Sequence, residues 1–119
     1  MDKEQALNSF WNGFDLVAYD ESSVPDEAEL PYITYSVGVD EFLYPVSLTA
    51  SIWYRSTSWG PITNKLNQIS NVIGKGGKMV PYEGGSIWIK KGSPFAQRMT
   101  DEDNSIRRIF INIEAEFIS

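Results

Sequence analysis

IRRIFINIEAEFI, at Ile106–Ile118, carries a clear β-strand pattern. Every second residue in it is apolar, and these residues are Ile109, Ile111, Ile113, Ala115 and Phe117. The residues between them are Arg108, Phe110, Asn112, Glu114 and Glu116. A side-chain period of two places the first set on one face of a β-strand and the second set on the other. We therefore expect a long central strand with one face in the core and the other half solvated.

Three more segments show the same two-residue period. Residues 31–39 and 46–55 each alternate apolar residues with small or polar ones, and residues 40–45 connect them. The third segment, residues 79–91, is interrupted at its middle by EGG, a sequence typical of a hairpin turn. These patterns predict five strands in all, with the first two joined as an antiparallel hairpin.

Two segments show helical spacing instead. Within residues 2–12, Ala6, Leu7, Phe10 and Trp11 share one face of a helix, and Gly13 follows where that helix would end. Residues 58–73 carry a second apolar stripe, before Gly74. The residues of this stripe are Ile62, Leu66, Ile69, Val72 and Ile73.

The order of these elements predicts one α+β domain spanning residues 1–119. We expect two helices packed on one face of a mainly antiparallel sheet of about five strands. Residues 20–30 are acidic, contain Pro25 and are predicted to form a surface loop. Residues 92–105 are predicted to form a second loop, whose length suggests a functional role.

Histidine and cysteine are both absent from the chain. Imidazole bases, thiol nucleophiles, disulfides and the commonest transition-metal ligands are therefore excluded. We expect no catalytic, cofactor-binding or metal-binding residues, and no enzymatic activity. The net charge of −6 argues against general affinity for DNA phosphates. The polar first residues predict that there is no signal peptide. The lack of a long apolar run predicts that there is no membrane span.

Two chemical alternatives depend on carboxylates. Pairs such as Asp20 with Glu21, or Asp26 with Glu27, could supply the acid and the base of a small hydrolase. They lie in acidic runs, however, which are typical of solvated loops. Residues 100–105 offer oxygen ligands for calcium, but they lack the glycine and the distal glutamate of a calcium-binding loop.

Aromatic and arginine residues, the types enriched at protein interfaces, cluster near residues 53–59 and 92–99. The interface candidates are Trp53, Arg55, Trp59, Phe95, Arg98 and Met99, together with the hairpin tip Glu83, Gly84 and Gly85. Each of them could instead serve only the fold. The sheet face with Trp53, Trp88 and Phe110 is too aromatic for full exposure, so we expect a partner over part of it.

Residues 30–36, 48–59, 94–98 and 107–117 together resemble tail terminator, or tail completion, proteins of long-tailed bacteriophages of the siphophage type. The resemblance spans nearly the whole chain. It implies a structural virion protein that forms a homo-oligomeric ring, expected to be a hexamer, on the head-proximal end of the tail tube. The ring would end tube growth and join the tube to a head-completion or neck protein.

The resemblance also implies that DNA passes through the ring without specific binding and that the protein is part of the virion tail. Assembly would take place in the host cytoplasm, with no membrane partner. One alternative within the same class stays open. A head-completion or connector adaptor would bind the portal side of the neck instead of the tail tube.

Overall fold

The computed structural model describes residues 1–37 and 46–119. Its elements are α1 (Lys3–Trp11), a 3-10 turn (Asn12–Phe14), β1 (Ala18–Asp20), β2 (Tyr32–Tyr35), β3 (Val46–Arg55), α2 (Gly60–Ile73), β4 (Lys78–Tyr82), β5 (Gly85–Met99) and β6 (Ile106–Ile118). The strands form one sheet in the order β1-β2-β3-β6-β5-β4. The β1–β2 pair is parallel and the other four pairs are antiparallel.

The central position of β6 is confirmed. All ten residues of β3 pair with β6, from Val46 opposite Ala115 to Arg55 opposite Ile106. On its other side β6 pairs with β5. The predicted antiparallel pairing of residues 31–39 with residues 46–55 is also present, as β2 with β3. The expected end of the first strand, at residues 38 and 39, and the connection at residues 40–45 lie outside the described residues.

Within residues 1–37 and 46–119 the sheet has six strands instead of about five, because residues 18–20 form an additional edge strand. Three residues are too short to show a period, and β1 depends on its pairing with β2. The side chain of Asn12 also holds it in place: Asn12 Oδ1 accepts a hydrogen bond from the Ala18 amide at 2.9 Å. The α+β class is as expected, with two α-helices in the part of the chain that the structure describes.

The prediction of a loop at residues 92–105 is wrong over its first half. Strand β5 continues to Met99, and only residues 100–105 connect it to β6. Its pairing with β6 is interrupted between Lys91 and Ala96, where the register shifts. The interruption breaks the two-residue period, which is why Gly92 and Pro94 look like loop residues in the sequence.

Both helices pack on the inner face of the sheet, the face that the apolar residues of β6 share. Asp2 begins α1 with a capping box, in which its carboxylate accepts from the Gln5 amide at 2.8 Å and the Gln5 side chain accepts from the Asp2 amide at 2.9 Å. Helix α2 begins two residues later than expected, at Gly60. The core consists mainly of Leu7, Phe10, Trp11, Phe14, Ile33, Ile52, Ile62, Ile69, Ile73, Ile87, Ile89, Ile109, Ile111 and Ile113.

Replacing Ile111 with alanine should lower the free energy of unfolding by about 2–5 kcal/mol, because the cavity would open in the middle of the central strand. Glu114→Ala, three residues later and exposed, should change it by no more than about 0.5 kcal/mol. Urea denaturation of both variants measures the difference. Equal losses would contradict the assignment of the two faces of β6.

Candidate functional site

The outer face of the sheet, opposite the helices, carries a row of large side chains across four neighbouring strands. The register places Tyr32 of β2 opposite Trp53 of β3, Trp53 opposite Arg108 of β6, and Arg108 opposite Met99 of β5. Side chains directly opposite one another on one face of a sheet interact. The row is therefore a continuous surface, built by strand pairing from residues far apart in sequence.

Ring contacts extend this row into a patch. The Tyr19 and Tyr32 rings meet edge to face at 5.6 Å, and the Tyr32 and Trp53 rings are 6.5 Å apart. The Arg108 guanidinium lies 4.6 Å from the centre of the Trp53 ring and 5.8 Å from that of Phe110. We call this patch the aromatic face, made of Tyr19, Tyr32, Trp53, Met99, Arg108 and Phe110.

Hydrogen bonds fix the orientation of the two central side chains. Trp53 Nε1 donates to Thr34 Oγ1 at 3.0 Å, and Arg108 Nε donates to Ser51 Oγ at 3.0 Å. Ser51 is only 3% exposed, so the partner of Arg108 is itself held firmly. Because these side chains are already ordered in the free protein, they would lose little conformational entropy when a partner binds. This bond uses only Nε, and the two Nη atoms of Arg108 make no hydrogen bond within residues 1–37 and 46–119.

The aromatic face is partly exposed along its whole length, and every one of its six residues is of intermediate burial. Tryptophan, tyrosine and arginine are the residues that carry most binding energy at protein interfaces. Trp53 and Phe110 lie on the same face of the sheet, as the alternation in β3 and β6 predicts, and a partner over this face stays a prediction. Trp88 lies further along the same face, where Lys90 Nζ covers its ring at 4.3 Å.

A second cluster surrounds Trp59, at the start of α2. The guanidinium groups of Arg98 and Arg107 lie 4.6 Å and 5.2 Å from its ring centre. Arg107 also donates to the carbonyl oxygens of Thr57 and Asn104, both at 2.8 Å. It thereby ties the start of β6 to the segment that leads into α2. Arg98 is exposed and lies on the inner side of β5, opposite Ile109.

Arg55 completes a group of arginines at this end of the sheet. Its Nη1 atom donates to Ser105 Oγ at 3.1 Å and lies 4.0 Å from an Asp103 carboxylate oxygen. Hydrogen bonds from the Ser105 side chain and backbone, and the nearby Arg55 charge, hold the pKa of Asp103 below its ordinary value. The Asp103 carboxylate thus organises the β5–β6 turn.

The remaining sequence candidates lie apart from the aromatic face. Phe95 is half buried against the core, with Lys91 Nζ 5.3 Å from its ring. The hairpin tip lies at the opposite end of β5 from Met99. The molecule measures 44 Å along its longest axis. Glu83 at this tip contacts the N-terminal amine at 3.2 Å, and its amide donates to the Met1 carbonyl oxygen. This tip therefore has a structural contact within the chain.

The structure brings Trp53 and Met99 together, and it gathers Arg55, Trp59 and Arg98 at the same end of the sheet. Sequence reasoning missed Arg108 as the link between Trp53 and Met99. The alternation in β6 places Arg108 on the outer face, but only the β3–β6 register shows that it covers Trp53.

The carboxylate alternatives gain no support from the described residues. Asp101 accepts from the Asp103 amide and Asp103 accepts from Ser105, so these side chains stabilise their own turn. Within residues 1–37 and 46–119 no group of acidic side chains could hold a metal ion. A cleft of about 500 Å³ beside α1 contains Glu4 and Asp20, but the Asp20 carboxylate accepts two hydrogen bonds from Ser22.

Within residues 1–37 and 46–119 no helix is long and apolar enough to cross a membrane.

Replacing Arg107 with alanine should lower the free energy of unfolding by about 1–3 kcal/mol, because three carbonyl groups, those of Thr57, Asn104 and Ile106, lose their donor. Arg98→Ala should cost less than about 1 kcal/mol, since it removes an exposed cation-π contact. Thermal and urea unfolding of the two variants provide the comparison. A larger loss for Arg98→Ala would show that the roles are reversed.

A substitution at Gly85 tests whether the hairpin tip contributes to the stability of the fold. A β-carbon at this position would overlap the Ile118 carbonyl oxygen, so Gly85→Ala should lower the free energy of unfolding by about 1–3 kcal/mol. Gly13→Ala is the matched control, because a β-carbon there meets no atom within 4 Å. Urea denaturation should show a loss for the first variant only. An unchanged stability of Gly85→Ala would mean that the tip is free for another role.

No protein-family model and no curated protein matches this chain. Its fold is similar to that of a chain in a solved structure described as the virion of a native gene transfer agent particle. The two chains are 14% identical, with a TM-score of 0.58, and the likeness covers 93% of this chain and 83% of the other. At this identity the likeness shows a shared α+β fold, which extends over nearly the whole of this chain.

Proposed function

We propose that the protein is a structural virion subunit, a tail terminator whose ring caps the head-proximal end of a phage tail tube. The observation that carries this proposal is the fold likeness to a chain of a virion particle, which extends over 93% of this chain. The sequence resemblance to tail terminator proteins supports the same role independently. In this role the protein is not an enzyme, and it acts by binding other virion proteins.

The aromatic face supports a role in assembly. Six large side chains lie together on the side of the sheet that the helices leave open, and two of them are fixed by hydrogen bonds. Burial of such a surface by a partner stabilises the complex. A subunit that functions as part of a ring has a use for this surface, since each copy must contact its neighbours.

The edge strands of the sheet are poorly suited to pairing with a strand of another copy. Contacts between copies would therefore use side chains on the faces of the sheet. Strand β1 has three residues and β4 has five, and Pro81 removes one backbone donor from β4. Short edge strands and prolines discourage strand addition. A ring of this subunit, which we expect to be a hexamer, would therefore use two different side-chain surfaces on each copy in head-to-tail contacts.

The proposed mechanism is geometric. The ring matches the last ring of the tail tube on one side and offers no matching surface for another tube subunit on the other, so growth ends. The second side would then bind the head-completion or neck protein. The net charge of −6 suits a passage through which DNA slides without being retained. The protein would be found at the head-proximal end of the virion tail, after assembly in the host cytoplasm.

Purified protein added to growing tail tubes should stop their elongation and appear as a ring at one end in electron micrographs. Trp53→Ala should weaken this activity, because it removes the centre of the aromatic face. Val72→Ala is the control, since Val72 is 43% exposed but lies on α2, on the opposite side of the sheet from the aromatic face. Tubes that continue to grow in the presence of the wild-type protein would contradict the proposal, and binding to the portal complex instead would indicate a connector.

A further inference from the structure

The distribution of charge suggests how one copy recognises the next. Arg108 has no carboxylate within 4.0 Å among residues 1–37 and 46–119, although the chain carries 16 acidic residues. One of its nitrogens is bonded to Ser51 and its plane lies over Trp53. A guanidinium group held in this way presents its remaining donors in a fixed fork, the geometry that binds a carboxylate with two hydrogen bonds.

A surface of opposite charge lies between β1 and β2. Residues 20–30 contain five carboxylates and no lysine or arginine. Backbone bonds from Ser23 to Asp20 and from Ala28 to Pro25 fold this segment into turns. Asp26, Glu27 and Glu29 are exposed, and Pro25 adds exposed apolar surface beside them. We call residues 25–29 the acidic turn.

The acidic turn does not pair with Arg108 in its own chain. It belongs to the connection beside the β1 edge, whereas Arg108 lies on β6, three strands away in the sheet order. At about 4.8 Å per strand this separation is roughly 14 Å. Two complementary surfaces at different places on one chain are what a head-to-tail contact between copies requires.

We infer that the acidic turn of one copy docks on the aromatic face of the next copy, with its carboxylates on Arg108 and Pro25 against the rings. This inference rests on the proposed function, because it names the contact that would build the ring. The other end of the outer face carries Glu114 and Glu116. A nucleic acid that ran along the whole face would bring its phosphates against these charges, whereas the acidic turn would contact only the Arg108 end of the face.

Charge reversal tests the contact directly. Arg108→Glu should weaken self-association by about tenfold or more, because a central attractive contact becomes repulsive. The double variant Asp26→Lys with Glu27→Lys should weaken it similarly. All three substitutions on one chain should restore association, because the charges are again complementary. Sedimentation velocity over a concentration series measures association, and circular dichroism verifies that each variant is folded.

Lys75→Glu is the matched control. Lys75 is an exposed cation in the turn between α2 and β4, away from the aromatic face, so its reversal should leave association unchanged. Failure of the triple variant to associate would overturn the inferred contact, as would a wild-type protein that stays monomeric at every concentration. Arg108-dependent binding of a single-stranded oligonucleotide, with no self-association, would overturn it in favour of a nucleic-acid partner.

The same variants separate the contact from the proposed function. If Arg108→Glu still forms rings that cap tail tubes, the contact is wrong and the terminator role stands. If the triple variant and the wild type form rings that leave tube growth unaffected, the contact is supported and the terminator role is overturned.

Discussion

The pairing of β6 with β3 is the constraint on which the rest of the structure depends. It runs through all ten residues of β3 without interruption. It places Ile109, Ile111 and Ile113 beneath the helices and Arg108 and Phe110 on the opposite face. A slip of one residue would exchange these faces, burying the arginine and exposing the isoleucines. The core and the aromatic face are therefore two results of one register.

The same register gathers the arginines. Arg55 ends β3, Arg98 lies near the end of β5, and Arg107 and Arg108 lie near the start of β6, so all four meet at one end of the sheet. Their surroundings give them different roles. Arg107 is committed to carbonyl groups of its own chain, whereas Arg108 keeps donors free on the outer face. In a chain of net charge −6, Arg108 thus has no carboxylate within 4.0 Å among residues 1–37 and 46–119.

Much of the fold can be predicted from the sequence, because β3, β6 and α2 have long, regular periods. β1 could not be predicted, since three residues carry no period and its stability comes from β2. The second half of β5 could not be predicted, because the register shift after Lys91 interrupts the two-residue period. For the site, Trp53 and Met99 were predicted as separate interface residues. Their connection through Arg108 could not be, because a pattern within one strand gives no information about the residue opposite.

Assembly of a ring should cover the aromatic face with a second copy. Hydroxyl-radical footprinting of the free and the ring-assembled protein measures this coverage, with Met1, 53% exposed and just before α1, as the internal reference. Assembly should protect Met99, Trp53 and Phe110 from oxidation while Met1 reacts as before. Equal oxidation of Met99 and Trp53 in the two states would show that the aromatic face stays uncovered.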